Sequence, residues 1–218
     1  MTAADHSIVF RDRLDAAHRL VLRLESYQGR NPLILAIPRG AVPMAHHIAT
    51  ALQGEMDVVL VRKLGAPLQP EFAIGAVDEG GWTYVSPQAR LAGADGRYVA
   101  AEKARQLALM RERRRRYTPA RAPLDPAGRI VIVVDDGLAT GATMVAALHS
   151  LREHRPERLI CAVPVASPEA LARVRPLADE VQCLQAPADF RAVGQYYRNF
   201  DQVEDEEVVA MLNAPARP

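Results

Sequence analysis

Apolar positions recur along the chain in two rhythms, one close to helical and one close to strand-like, and their alternation lays out an α/β fold. Between Arg11 and Ser26, Leu14, Ala17, His18, Val21, Leu22 and Leu24 follow mostly helical spacing, which predicts an amphipathic helix covering one sheet face. Leu33 to Ile37 reads as a short buried strand, ended by Pro38-Arg39-Gly40-Ala41-Val42-Pro43, and Met44 to Leu52 as the next helix. Asp57 to Val61 is then a second strand, closing a right-handed βαβ unit. Gly and Pro cluster from Gly65 to Pro70 and mark a loop. Ala73 to Val77 and Trp82 to Val85 flank Asp78-Glu79-Gly80-Gly81 and predict a β-hairpin.

A helix from about Arg97 to Tyr117 follows, then a Pro-rich connector from Pro119 to Pro126. Ile130 to Val134 is an unbroken run of β-branched residues, the pattern of a strand covered on both faces in a parallel sheet. Beyond it come a helix from about Met144 to His154, a strand from Leu159 to Val165, a helix opened by Ser167-Pro168-Glu169 and a strand from Glu180 to Leu184. A short acidic helix near Asp205 to Leu212 ends the pattern. The expected architecture is one α/β domain over residues 1–218. Its core, residues 8–185, is a central, mostly parallel sheet with helices on both faces. An inserted hairpin and helix, residues 64–121, would form a lid, and residues 186–213 a small C-terminal hood.

Composition narrows the function classes. A net charge of +1 over 218 residues supplies no broad basic face and argues against a nucleic-acid binder. Cys161 and Cys183 each sit in an apolar run, too few for a disulfide framework, and read as reduced and buried. The N-terminus is not signal-like and no apolar run reaches 18 residues, so the expectation is a cytoplasmic protein that does not enter a membrane.

The chemistry concentrates after the buried central strand. Asp135 and Asp136 emerge where ligands of parallel sheets bind, beyond the carboxyl ends of the strands. Ala139, Thr140, Gly141, Ala142 and Thr143 then offer backbone amides with little side-chain bulk at a helix start, suited to a phosphate. Two acids beside an anion cradle make sense for a ribose 5-phosphate, whose hydroxyls donate to the carboxylates while its phosphate takes the loop. A P-loop would place Lys where Ala142 stands, and no G-x-G-x-x-G occurs.

From Val131 to Thr143, the run of four apolar residues, two acids and a Thr-Gly-x-Thr ending resembles the phosphoribosyl diphosphate (PRPP) motif of type I phosphoribosyltransferases. The longer series Ile-Pro-Arg-Gly-Ala-Val-Pro, Val-Arg-Lys-Leu-Gly-Ala-Pro, Ala-Ile-Gly-Ala-Val-Asp-Glu-Gly-Gly and Val-Asp-Asp-Gly-Leu-Ala-Thr-Gly-Ala-Thr resembles a group of bacterial phosphoribosyltransferases whose acceptor is open. That resemblance implies transfer of ribose 5-phosphate from PRPP to a small, nitrogenous acceptor, with Mg²⁺ carried mainly by PRPP and a homodimeric assembly. By position it implies that Arg39, Gly40 and Ala41 bind diphosphate, and that Arg62-Lys63 precede a catalytic lid of Gly65 to Glu71, with Lys63 touching diphosphate. Asp135 and Asp136 would support an oxocarbenium-like transition state. Ala139 replaces the Asp of the 6-oxopurine branch, which speaks against hypoxanthine or guanine. Adenine-type members are closer there, but Gly137 departs from them.

Three readings stay open. Arg39 and Lys63 could be surface cations. Arg111, Arg113, Arg114, Arg115 and Arg116 either complement a helix dipole or steer a polyanion to the site. Phe190, Tyr196 and Tyr197 could stack on a planar acceptor beside Arg191, or pack in the core. A non-catalytic protein that senses PRPP or a nucleotide is the alternative to the transferase, and a PRPP hydrolase is a further rival.

Overall fold

The computed structural model describes residues 9–70 and 72–213. Residue 8, the expected start of the core, and Glu71, the expected end of the lid, lie outside the described residues. In chain order the elements are α1 (Arg13–Leu24), β1 (Leu33–Ala36), α2 (Val42–Leu52), β2 (Glu55–Val58), β3 (Val61–Gly65), β4 (Ala73–Asp78) and β5 (Thr83–Val85). There follow α3 (Gly96–Tyr117), β6 (Ile130–Val134), α4 (Ala142–Glu153), β7 (Arg158–Val165), α5 (Pro168–Val174), β8 (Glu180–Gln185) and α6 (Asp205–Leu212).

A parallel sheet of five strands, in the order β2-β1-β6-β7-β8, forms the centre, with β6 in the middle. Strand periodicity divides its side chains between two cores. Ile34 and Ala36 of β1, Ile132 and Val134 of β6, and Ile160 and Ala162 of β7 meet Ala17, Leu20 and Leu24 of α1 and Met44, Ile48 and Leu52 of α2. The intervening Leu33, Leu35, Val131, Val133, Leu159 and Cys161 meet Met144, Leu148 and Leu151 of α4 and Leu171 and Val174 of α5. Both faces are covered, which is why β6 carries no polar residue. Each fully buried aliphatic side chain contributes about 1.5–3 kcal/mol.

The run from Asp57 to Val61 is divided between two sheets. β2 ends at Val58, and β3, starting at Val61, pairs antiparallel with β4, placing Arg62 opposite Val77 and Lys63 opposite Ala76. Arg62 and Lys63 therefore lie within an antiparallel strand and do not end the second parallel one. A continuous apolar run does not reveal where a chain changes sheets. The β4–β5 hairpin forms as its turn residues suggest, so the insertion is a three-stranded sheet, β3-β4-β5.

The arginine-rich end of α3 divides by partner. Arg114 is buried, donating to Asp57 Oδ1 at 2.7 Å, to the Val58 carbonyl at 2.9 Å and to both carboxylate oxygens of Glu79. Arg115 pairs with Glu112, Arg116 with Asp205 and Glu206 of α6, and Arg121 with Asp57. Arg114 and Arg116 thus fasten α3 to β2, to the turn after β4 and to α6. Asp57, 1% exposed, depends on these cations and on the Val58 and Leu124 amides. Arg114→Ala leaves that carboxylate short of its main partner and should cost about 3–5 kcal/mol. Urea denaturation would read the loss, and a change below about 1 kcal/mol would mean that Arg121 and the amides suffice.

Candidate active site

At the carboxyl end of β6 the chain delivers two adjacent acids into a partly buried position. The Asp136 amide donates to Asp135 Oδ1 at 2.9 Å, so the acids turn about a shared backbone bond. Burial pushes the Asp135 carboxyl well above its usual range, and the neighbouring charge of Asp136 pushes it the same way. Burial also raises Asp136, opposed by the guanidinium of Arg13. Arg13 Nε and Nη2 each lie 2.9 Å from Asp136 Oδ2. Arg13 Nη1 donates to the Asp201 carbonyl at 2.6 Å, and its guanidinium lies 4.0 Å from the Phe200 ring centre. The Tyr197 hydroxyl donates to the Asp136 carbonyl at 2.7 Å.

Arg13 was not distinguishable in the sequence. It is one of several arginines on the first helix, and its partner lies 123 residues away. Its position at the first turn of α1 is fixed by Asp12, whose carboxylate caps the helix by accepting from the Asp15 amide at 2.8 Å.

Two glycines are required by close approach. A Cβ on Gly40 would lie 2.0 Å from Asp136 Oδ2, so Arg39, Gly40 and Ala41 reach the acids only because residue 40 has no side chain. A Cβ on Gly137 would lie 2.6 Å from a Val193 methyl, which explains that departure from the adenine-type pattern: the C-terminal segment rests on the acidic turn. The Pro38–Arg39 peptide is cis. The Arg39 guanidinium is held by Glu204 at 3.4 Å and Asp205 at 3.9 Å, at the start of α6.

The loop that follows is braced from behind and open in front. Gly141, at φ +72°, caps α4, and the helix takes in Ala142 and Thr143, so the loop runs directly into its first turn. The Ala139 carbonyl accepts from the Ser167 hydroxyl at 2.8 Å and the Thr140 carbonyl from Arg173 at 3.4 Å. Ala139, Thr140, Ala142 and Thr143 are exposed. The first amides of a helix lack helical acceptors and carry its positive end, which is what an anion needs.

Lys63 reaches the same neighbourhood by another route, lining a cleft between the antiparallel sheet and the first turns of α4, with Thr140 and Thr143 at its edge. A smaller cleft between Pro38 and Thr143 is lined by Arg62 and Arg113. Arg62 donates to Gln106 Oε1 at 2.5 Å, and burial followed by repulsion from Arg113 and Arg105 lowers its pKa. Arg113 is the member of the arginine run that the steering reading fits, since it lies at this cleft and forms no ion pair among the described residues.

The C-terminal aromatics pack on one another. Tyr197 lies between Phe10, at 5.4 Å, and Phe200, at 4.9 Å, and is buried. Tyr196 is buried against Phe190 at 5.6 Å, and its hydroxyl has no hydrogen-bond partner among the described residues. Phe190 is half-buried and Arg191 exposed. Among the described residues no group of three or more His, Cys, Asp or Glu could hold a metal ion, and no helix is long and apolar enough to cross a membrane.

A parallel sheet whose central strand ends in an acidic pair and a phosphate-type loop defines the class of protein. The model of the phosphoribosyl transferase domain matches residues 12–201, and the chain belongs to that family. Proteins of Mycobacterium tuberculosis strains CDC 1551 and H37Rv, both provisionally named phosphoribosyl transferase, are each 42% identical over 210 residues, covering 96% of this chain and 47% of their own length. The chain spans about half the length of these curated relatives. The crystal structure of TT1426 from Thermus thermophilus is 48% identical with a TM-score of 0.85, covering 94% of this chain and 98% of that one. A Neisseria gonorrhoeae protein, 15% identical with a TM-score of 0.54 over 95% of this chain and 96% of its own, shares the fold.

Asp135→Asn should stabilise the protein by on the order of 1–3 kcal/mol at neutral pH, because a buried charge is replaced by an isosteric amide. A carboxyl whose folded pKa is raised binds its proton more tightly in the folded state. Its stabilising contribution is therefore present below the unfolded value of about 3.9 and lost as pH rises through the folded value. The advantage of Asn should be full at high pH and vanish as pH falls toward about 4; thermal melts across that range would show it, and a pH-independent difference would contradict it. In Gly40→Ala the loop from Arg39 to Ala41 must move off Asp136, and thermal melting should show a folded protein of lower stability.

Proposed function

We propose that the chain is a phosphoribosyltransferase that takes ribose 5-phosphate from PRPP–Mg²⁺ and joins it to a small nitrogenous acceptor, releasing diphosphate. One observation carries this reading: the Arg39–Ala41 loop lies against the acidic pair so closely that Gly40 leaves no room for a Cβ beside Asp136. The residues suit the parts of the donor. The Thr140 to Thr143 amides and the Thr140 and Thr143 hydroxyls would receive the 5-phosphate. Asp135 Oδ2 and Asp136 Oδ1, which carry no hydrogen bond among the described residues, would accept from the 2- and 3-hydroxyls.

The C1–O bond to diphosphate breaks as the acceptor nitrogen bonds to C1, and positive charge gathers on C1 and the ring oxygen. Two carboxylates in a partly buried site lend the negative potential that favours that state. Arg13 opposes the rise that burial gives the Asp136 carboxyl and fixes its direction. The backbone of Arg39 to Ala41 and the cations Lys63, Arg62 and Arg113 would stabilise the departing diphosphate. Mg²⁺ bound to the donor oxygens would neutralise leaving-group charge.

With Tyr196 and Tyr197 taken up by packing, Phe190 and Arg191 are the hood residues left to meet an acceptor. We also read the protein as a cytoplasmic homodimer. Its insertion exposes large apolar side chains, Leu68, Phe72, Tyr84, Val85 and Leu91, and sedimentation would test the pairing. A binding-only role draws support from one contact: Arg39, a candidate for the leaving group, is engaged by Glu204 and Asp205.

Calorimetric titration with PRPP and Mg²⁺, followed by a diphosphate-release screen over nucleobases and small amines, tests the reading. Acceptor-dependent release is expected. Binding with no release across the screen would favour the sensor, and absence of binding would remove the donor assignment. Asp135→Asn combined with Asp136→Asn should lower turnover by at least about 100-fold in a folded protein, the scale of losing transition-state electrostatics.

A further inference from the structure

The cleft of about 300 Å³ between the antiparallel sheet and α4 has two chemically distinct linings. In it Trp82 and Tyr84 face His149 of α4. The His149 ring is inclined by only 16° to Trp82 and 5° to Tyr84, with centres 6.1 Å apart in each case. These near-parallel rings line the cleft from both the sheet and the helix. Across the antiparallel sheet from them, Lys63 of β3 lines the same cleft, together with Arg173 of α5 and Thr140 and Thr143. Among the described residues no carboxylate lines the cleft. Arg173 is exposed, and its one hydrogen bond among the described residues is a long one, 3.4 Å to the Thr140 carbonyl.

Aromatic rings and cations in one cleft, with the edge of a helix N-terminus, fit a planar ring that carries an anion. We propose that this cleft is a second binding site, for a nucleoside 5′-monophosphate whose base lies on the Trp82, Tyr84 and His149 rings and whose phosphate meets Arg173 and the Thr140–Thr143 edge. Base stacking on such rings tolerates different bases, so the site discriminates by ring plus phosphate and weakly by base identity. The cleft approaches the loop from the α4 side, whereas the acidic pair stands at the end of β6, so the nucleotide does not need Asp135 or Asp136. On the proposed donor reading the two ligands would share Thr140 and Thr143. Nucleotide binding would then compete with the donor phosphate and couple transfer to nucleotide supply.

Trp82 is the single tryptophan of the chain, which makes its fluorescence a reporter of this cleft alone. Nucleoside 5′-monophosphates should quench it saturably, whereas nucleosides and inorganic phosphate should require at least tenfold higher concentration. His149→Ala should weaken the quench at least tenfold. Arg173→Ala, on the exposed face of α5, should weaken nucleotides but not nucleosides, and so tests the anionic end without disturbing the core. The quench should survive in the double variant Asp135→Asn, Asp136→Asn. Its loss there would place the nucleotide in the donor site and overturn the proposal, as would absence of quenching up to millimolar nucleotide or indifference to both cleft variants. Calorimetry with PRPP–Mg²⁺ on the same preparations separates the two readings: no donor binding with an intact nucleotide quench removes only the donor assignment.

Discussion

Two neighbouring carboxylates withdrawn from water at the end of a fully covered strand impose the constraint around which the rest of the structure is arranged. Left alone, the pair would protonate or drive the strand end apart. The chain answers from distant places. Arg13 comes from the first helix, the Tyr197 hydroxyl and the Asp201 carbonyl from the C-terminal segment, and the Asp136 amide from within the turn. The ring of Phe200 supports the guanidinium, and Phe10 supports the ring of Tyr197. Helix α1 and the C-terminal segment are thus bound to one another through the site they serve.

Around this centre the cations sort into fasteners and open ends. Arg114, with Asp57 and Glu79, joins α3 to the edge of the parallel sheet and to the turn after β4. The antiparallel sheet also leans on α4 through Ser150, whose hydroxyl donates to Asp78. It is therefore held at its base by buried charge, whereas the residues facing the phosphate-type loop, Arg62, Arg113 and Arg173, form no ion pairs among the described residues.

The sequence was most legible where one physical rule governs. An unbroken run of β-branched residues from Ile130 to Val134 can only be a strand covered on both faces, and the small residues from Ala139 to Thr143 mark a helix start. Alternation and turn chemistry likewise place the β4–β5 hairpin. The change of sheets between β2 and β3 left no mark, because Val59 and Leu60 are apolar in either sheet. The arginine run concealed two roles because charge alone does not name a partner, and Arg113 and Arg114 differ only in the side of the helix on which they fall. The C-terminal aromatics illustrate the same limit: Tyr197 serves as a packed ring and a hydrogen-bond donor to the backbone, which composition could not separate from an acceptor wall.

The span of the Asp136 contacts also bears on when the protein becomes competent during synthesis. Domains form largely from the N-terminus as the chain emerges. Here β6 and its loop can take shape while Tyr197, Phe200 and Asp201 are still to come, and until they arrive Arg13 lacks two of its supports and the acidic turn lacks its cover. A ribosome-bound chain that stops short of residue 201 would hold the loop from Ala139 to Thr143 beside an acidic turn that is still uncovered.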